Sequence, residues 1–313
     1  MKKYKLFTLV LGFCISIGVT SCKDEEIIIP APLEIIGKEG TLSHALTTLR
    51  AQSNHQMLFA AQAGITFDSQ SKRIPENSIS AINNVAQLGI DIVEIDVRTT
   101  QDGVLVLMKD ETIDRTTTGS GRLKDLTYSQ LQQYYLETKA GDVSSQKVPT
   151  LEEALTEGAG RVWFKIDLTN EAIDFSAVNR LVKQAGVESD VLYDVAGDIN
   201  KAKIIYELNP AALVQLQANN SNEVANFISL PETRSSVLTI KLATGSNLYM
   251  DVNRANCIAA TNITGDIDNK VLNNANYADI NNLRNKEAHI LETEIADLLI
   301  SYYAADRFSV NKN

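Results

Sequence analysis

From residue 57 onward, short apolar runs alternate along the chain with amphipathic ones. MLFAA, starting at Met57, is an apolar run of strand length. SISAINNVAQLG follows with Ile79, Ile82 and Ala86 at helical spacing and Gly89 where a helix would be capped. IDIVEIDVRTT reads as a strand in which Val93, Ile95 and Val97 share one face and Ile92, Glu94, Asp96 and Arg98 the other. VLVLM is the next strand. Helix starts recur with capping-box spacing, Thr127 before Gln130 and Thr150 before Glu153. RVWFKIDL, VLYDV, AALVQLQ, SVLTIKL, NLYMDV and CIAATNI read as further strands, and IADLLISYYAA as a closing helix. Alternating strand and helix units imply a parallel sheet with helices outside, either open and doubly wound or closed into an eight-stranded barrel. Periodicity does not separate the two, but the length suits the barrel.

The first residues change the picture of where the chain works. MKKYKLFTLVLGFCISIGVTSC carries Lys2, Lys3 and Lys5 ahead of an apolar run and ends in small residues before Cys22, the pattern of a secretory signal. The VTSC ending resembles a bacterial lipobox. We expect a signal peptide over residues 1–21, then diacylation of Cys22 as the mature N-terminus and a tether over residues 22–33, with membrane attachment through the lipid. A helical lead-in is expected over 34–56 and the main domain over 57–310. The KDEE run after Cys22 resembles surface-export signals of some Gram-negative lipoproteins, which implies an outer-membrane location.

Charge narrows the partners. Removing residues 1–21 takes away three lysines and no acid, moving the formal charge from -10 to -13. Such a chain is ill suited to nucleic acid, whose binding depends on neutralising phosphates. Once Cys14 leaves with the signal and Cys22 takes lipid, Cys257 stands alone, so no disulfide framework or cysteine metal site forms.

Residues 75–136 carry Pro-Glu-Asn, the Glu-x-Asp strand, Thr-x-Asp-Gly at Thr100 to Gly103 and Asp-Arg-Thr-Thr at Asp114 to Thr117; Pro-Thr-Leu-Glu-Glu follows at Pro149 to Glu153. This ordered set closely resembles the glycerophosphodiester phosphodiesterase family. The resemblance implies a TIM (β/α)8 barrel of the PLC-like phosphodiesterase type, with its site at the C-terminal ends of the strands. Beyond residue 170 the likeness is thin, and Thr293 and Glu294 stand where Thr-Asp is usual.

Glu94 and Asp96 are two residues apart on one strand, so both side chains point to the same face. Two carboxylates side by side repel, and the remedies are a shared proton, a cationic partner or a bound divalent metal. The resemblance implies the metal, calcium or magnesium, with a third carboxylate from a later strand. Asp167 best matches that position by motif spacing, while another register puts Lys165 there and replaces a ligand by a cation. Without a metal, Arg98 or Lys165 would pair with Glu94 and Asp96.

The family's two catalytic histidines align with Gln62 and Lys109, its phosphate-gripping arginine with Ala63, and the lysine after the third carboxylate with Thr169. A neutral amide has no useful proton affinity, and an ordinary lysine near pKa 10.4 is far from the range that acid–base work prefers. Lys109 either acts as an acid or base with a depressed pKa or pairs with Glu94 or Asp96 in place of the metal. His44, His55 and His289 all lie away from the expected site. Three functions follow: a catalytically impaired barrel that binds a phosphodiester, headgroup, glycan or protein; an active metal-dependent hydrolase using Lys109 or metal-bound water; or a purely structural subunit.

Overall fold

A computed structural model describes residues 40–51, 56–169, 173–229, 237–241 and 248–308, all within the compact unit Leu33–Asn313. The expected signal peptide, Cys22, the tether and residues 34–39 and 52–55 of the lead-in, His55 among them, lie outside the described residues. The strands are β1 (Leu58–Ala61), β2 (Ile92–Thr99), β3 (Leu105–Leu107), β4 (Trp163–Asp167), β5 (Val191–Asp194), β6 (Leu213–Ala218), β7 (Val237–Ile240), β8 (Ile258–Asn262) and β9 (Ile290–Thr293). The helices are α1 (Leu42–Ala51), α2 (Phe67–Ser71), α3 (Ile79–Gln87), α4 (Tyr128–Leu131), α5 (Leu151–Gly158), α6 (Phe175–Ala185), α7 (Ile199–Leu208), α8 (Ser221–Ser229), α9 (Leu248–Arg254), α10 (Asp266–Asn274), α11 (Ala278–Asn285) and α12 (Ala296–Phe308).

All strands but β3 pair in parallel, and β1 bonds both β9 and β2, so eight strands close on themselves in a TIM barrel. The closure settles what periodicity left open. VLVLM does form a strand, but β3 runs antiparallel on the outer end of β2, Val97 opposite Leu107. NLYMDV corrects a strand expectation. It is α9, whose buried Leu248, Tyr249 and Val252 fit a helical stripe while Met250 and Asp251 stay exposed.

The period of two sorts each barrel strand into an outer and an inner face. Val93, Ile95 and Val97 join the core beneath the helices, while Ile92 packs inside with Leu58, Trp163, Leu192, Leu213, Val237, Ile258 and Ile290. That apolar layer closes the N-terminal end, and α1 plugs it from below with Leu42, Leu46 and Leu49. Trp163 is therefore a floor residue. The inner positions two residues further on are mostly polar, which places the chemistry toward the C-terminal end. A smaller cluster around Val106, Met108, Ile113, Leu123, Leu131, Leu136 and Val148 supports the long excursion between β3 and α5.

Local chemistry fixes the ends of these elements. Thr127 and Thr150 both form complete capping boxes, with Gln130 and Glu153. At the end of β9, Asp268 of α10 accepts hydrogen bonds from Thr293 Oγ1 at 2.7 Å and the Glu294 N–H at 3.0 Å. Burial nevertheless pushes its carboxyl up to about 6, against the two hydrogen bonds and with help from Glu294. A raised carboxyl pKa stabilises the fold below the unfolded value near 3.9, and that contribution is lost as pH climbs through about 6. Asp268→Asn should thus flatten the fall in unfolding free energy between pH 4 and pH 7 by about 2 kcal/mol. Chemical denaturation at both pH values checks this, and superimposable slopes for the two proteins would refute it.

Candidate functional site

The Pro-Glu-Asn segment builds one wall. The Asn77 N–H donates to the Ala63 carbonyl (2.9 Å), and Asn77 grips Asp96 at two points. Its Nδ2 donates to Asp96 Oδ2 at 2.7 Å, and its Oδ1 accepts from the Asp96 N–H at 3.0 Å. Asn77 and Ala63 both have left-handed backbones, φ 50 and 51. Gly64 is required beside them, because its φ is +70 and a Cβ there would meet Ala81 Cβ at 2.8 Å. Ser78 then caps α3, accepting from the Ala81 N–H at 3.1 Å. Glu76 receives a two-pronged bond from Arg115, at 2.7 and 2.9 Å, which ties this wall to the Asp-Arg-Thr-Thr segment.

Glu94, Asp96 and Asp167 come together, each offering an oxygen within 4.8 Å of the others. The register explains it, since Asp96 lies opposite Asp167 on the paired strands β2 and β4. Asp167 is steadied by the Thr169 N–H, which donates to its Oδ1 at 2.7 Å. Asp96 Oδ1 is buried and has no hydrogen-bond partner. Burial raises the Asp96 carboxyl, with Lys109 and Asn77 pulling it down. An acceptor left unpaired inside a group of hard oxygen donors fits a hard divalent cation, which Glu94, Asp96 and Asp167 would hold. When bound, such an ion polarises a phosphoryl oxygen and acidifies a coordinated hydroxyl.

The two registers weighed for β4 both face inward, because Lys165 and Asp167 are two residues apart. Lys165, opposite Glu94, is buried in the middle of the barrel. Its ammonium donates to Glu94 Oε2 at 3.0 Å and Glu292 Oε2 at 2.8 Å and pairs with Asp194 Oδ2 at 2.9 Å. Three donors meet three carboxylates. Desolvation opposes its charge, yet Glu292, Glu94 and Asp194 outweigh that and raise its pKa well above the usual lysine range. Glu94 is pushed up to about 8, by burial first, with Lys165 opposing and Glu292, Asp96 and Asp167 adding. Arg98, the other pairing weighed, donates to the Lys109 carbonyl at 2.9 Å.

Lys109 forms an ion pair with Asp96, one of the two readings weighed for it. It follows β3, is 39% exposed and holds its ammonium 3.9 Å from Asp96 Oδ1, an ion-pair distance too long for a hydrogen bond. Burial disfavours its charge, but Asp96, Glu94, Glu76 and Asp167 prevail and raise its pKa, opposite to the depression that acid–base work needs. Gln62, just past β1, accepts a hydrogen bond on Oε1 from Thr264 Oγ1 at 2.8 Å. Gln62, Lys109 and Thr169 line a cavity of about 350 Å³ with Glu94, Lys165 and Asp167, and no imidazole among the described residues joins them. His44 is exposed on α1 and His289 precedes β9, both at the floor end.

Sequence reasoning missed Asp194, Gln215 and Glu292, which share this cavity. The signal was present. Each follows an apolar floor residue by two positions, as Glu94 follows Ile92, but a single polar residue in a short strand does not show which face it takes until the barrel closes. Glu294, weighed for the family's aspartate, instead pairs with Lys139 at 2.9 Å.

A model of the glycerophosphoryl diester phosphodiesterase family matches residues 69–291. Glycerophosphodiester phosphodiesterase of Caldanaerobacter subterraneus is 41% identical over 28% of this chain and 37% of its own length. Mouse glycerophosphodiester phosphodiesterase 1 is 45% identical over 26% of each chain, so the chain spans about a quarter to a third of these curated relatives. YhdW of Bacillus subtilis is 31% identical over 53% of this chain and 74% of its own. Among solved structures, a glycerophosphoryl diester phosphodiesterase of Parabacteroides distasonis superposes with a TM-score of 0.71 at 20% identity, covering 84% of this chain and 92% of that one. With the family model covering well over half of its residues, this chain belongs to the glycerophosphoryl diester phosphodiesterase family.

Proposed function

We propose that this chain is a lipid-anchored binding protein built on a phosphodiesterase barrel, and that its hydrolytic activity is lost or severely reduced. The observation that carries the reading is the pair of groups flanking the carboxylates. Gln62 offers an amide, and Lys109 an ammonium whose pKa is raised, so neither exchanges protons near neutrality. Ala63 has no charge with which to grip a phosphate, and Thr169 only a hydroxyl. Losing two general catalysts, each contributing ~10²–10⁴-fold, leaves little turnover even with calcium or magnesium held by Glu94, Asp96 and Asp167. The polar cavity speaks for ligand binding over a purely structural role. Attachment through diacylated Cys22 at the outer membrane of a Gram-negative bacterium rests on the signal and lipobox pattern.

The alternative is an active metal-dependent hydrolase that relies on Lys109 or metal-bound water. The two part in one assay. The purified chain with calcium or magnesium should release no more glycerol 3-phosphate from glycerophosphocholine than Glu94→Ala does. Turnover well above that control establishes the hydrolase instead.

A further inference from the structure

The inward-facing residues of the barrel strands lie in levels two positions apart. Above the apolar floor comes the level of Glu94, Lys165, Asp194 and Glu292, and a further level lies toward the C-terminal end. On the β2–β4 side that upper level holds Asp96 and Asp167 of the cation site. β7 lies four strands round the closed barrel from β2 in either direction, and the side centred on it has the opposite character. Gln217 follows Leu213 and Gln215 on β6, Lys241 follows Val237 and Thr239 of β7, and Asn262 follows Ile258 and Ala260 on β8. With Gln62, two residues past Ala60 of β1, they line the cavity as one ammonium and three amides.

Two of these amides are oriented as donors. Asn262 Oδ1 accepts from the Thr264 N–H at 2.9 Å and Gln62 Oε1 from Thr264 Oγ1 at 2.8 Å, so each turns its NH2 elsewhere. Lys165 is enclosed by Glu94, Asp194 and Glu292, whereas Lys109 and Lys241 are the lining lysines that solvent reaches. The Lys241 charge also touches Glu223 of α8, whose carboxyl is held below its usual range by the Asn219 N–H first and by Lys241 least. Both Glu223 oxygens already accept from Asn219 and Asn220, at 2.7 to 3.0 Å, so Glu223 is satisfied without it. The lining as a whole sets four carboxylates against three lysines, a balance that one divalent cation makes positive. Donors around an ammonium, facing a cation site across about 350 Å³, suit a small anionic ligand.

We propose that Lys241, with the amides of Gln217, Asn262 and Gln62, is the anion anchor of this cavity and that the ligand is a small phosphate ester. This rests on the binding reading above and names the ligand class and the residue that holds its charge, a task for which Ala63 and Thr169 have none. The test is calorimetric titration of the purified full chain, in calcium, with glycerol 3-phosphate, glycerophosphocholine and glycerol, repeated with Lys241→Met, Lys241→Arg and Asn262→Asp. At least one of the two esters should bind, and glycerol at least tenfold more weakly; which ester binds tells a free monoester from a headgroup diester. Lys241→Met should weaken ester binding about 10–100-fold, the size of one charge-assisted hydrogen bond, and Lys241→Arg should keep most of it. Asn262→Asp retains the acceptor for the Thr264 N–H but exchanges the NH2 for negative charge, and should cost at least tenfold. Lys241→Met should unfold at the wild-type denaturant midpoint, whereas a lysine that served only Glu223 would change stability and leave affinity alone. Lys241→Met binding the ester as wild type, or glycerol binding as tightly as the esters, overturns this proposal and leaves the binding reading standing; binding of none of the three overturns the proposal as well. Hydrolysis of glycerophosphocholine refutes only the claim of inactivity. A KM raised at least tenfold by Lys241→Met then upholds the anchor, and an unchanged KM overturns it.

Discussion

Lys165→Met should lower the unfolding free energy by about 3–5 kcal/mol at pH 8, the cost of stripping a buried ion pair of one partner. The ammonium neutralises Glu94, Asp194 and Glu292 from inside the barrel, and each bond lies between 2.8 and 3.0 Å. Methionine fills much the same space but leaves three carboxylates facing one another at low dielectric. Because the Lys165 pKa is raised, its contribution is constant from acid to mildly alkaline pH, and any pH dependence of the deficit belongs to the acids. Glu94 already shows the direction. Its raised carboxyl stabilises the fold below about 4.5 and loses that contribution as pH climbs to about 8, and removing Lys165 extends this loss. The deficit should therefore be smaller at pH 5 than at pH 8. Millimolar calcium should stabilise both proteins, since an ion bound only by the folded state at a hundred times its Kd contributes about 2.7 kcal/mol. Denaturant midpoints at both pH values, with and without calcium, decide the matter; a variant as stable as wild type would show that Lys165 is not the counter-charge of this layer.

How much of this site was legible in the sequence depends on where its residues sit. Glu94 and Asp96 are two apart on one strand, and no pairing partner is needed to see that they share a face. Asp167 and Lys165 presented themselves as rivals for one position, because a linear count treats register as a choice. In the barrel they occupy successive inner levels, Lys165 against Glu94 and Asp167 against Asp96. Asp194, Gln215, Thr239 and Glu292 stayed hidden for another reason. They meet only when eight strands close, and their strands fall where the family motifs have faded. NLYMDV misled because Leu248, Tyr249 and Val252 are dense enough to pass for a buried strand over six residues. The fold as a whole was more readable, since repeated alternation over the chain length survives one such misreading.

Gln62→His, Ala63→Arg and Lys109→His together should raise hydrolysis of glycerophosphocholine at least ~10²-fold over wild type, the lower bound for restoring one general catalyst. The backbone allows the change. Ala63 already adopts φ 51, so arginine replaces one L residue by another with no new penalty, and Gly64 keeps the close approach to Ala81. Histidine at 62 gives up one hydrogen bond from Thr264, and histidine at 109 removes the ammonium 3.9 Å from Asp96 and leaves Asp96 Oδ1 to the cation. Adding Glu94→Ala to the triple variant should return turnover to the wild-type level, which ties any gain to the carboxylate cluster. A triple variant that folds, binds calcium and still does not turn over would mean that proton transfer is not the only function lost. The reason would then lie deeper, in Lys165 competing for Glu94.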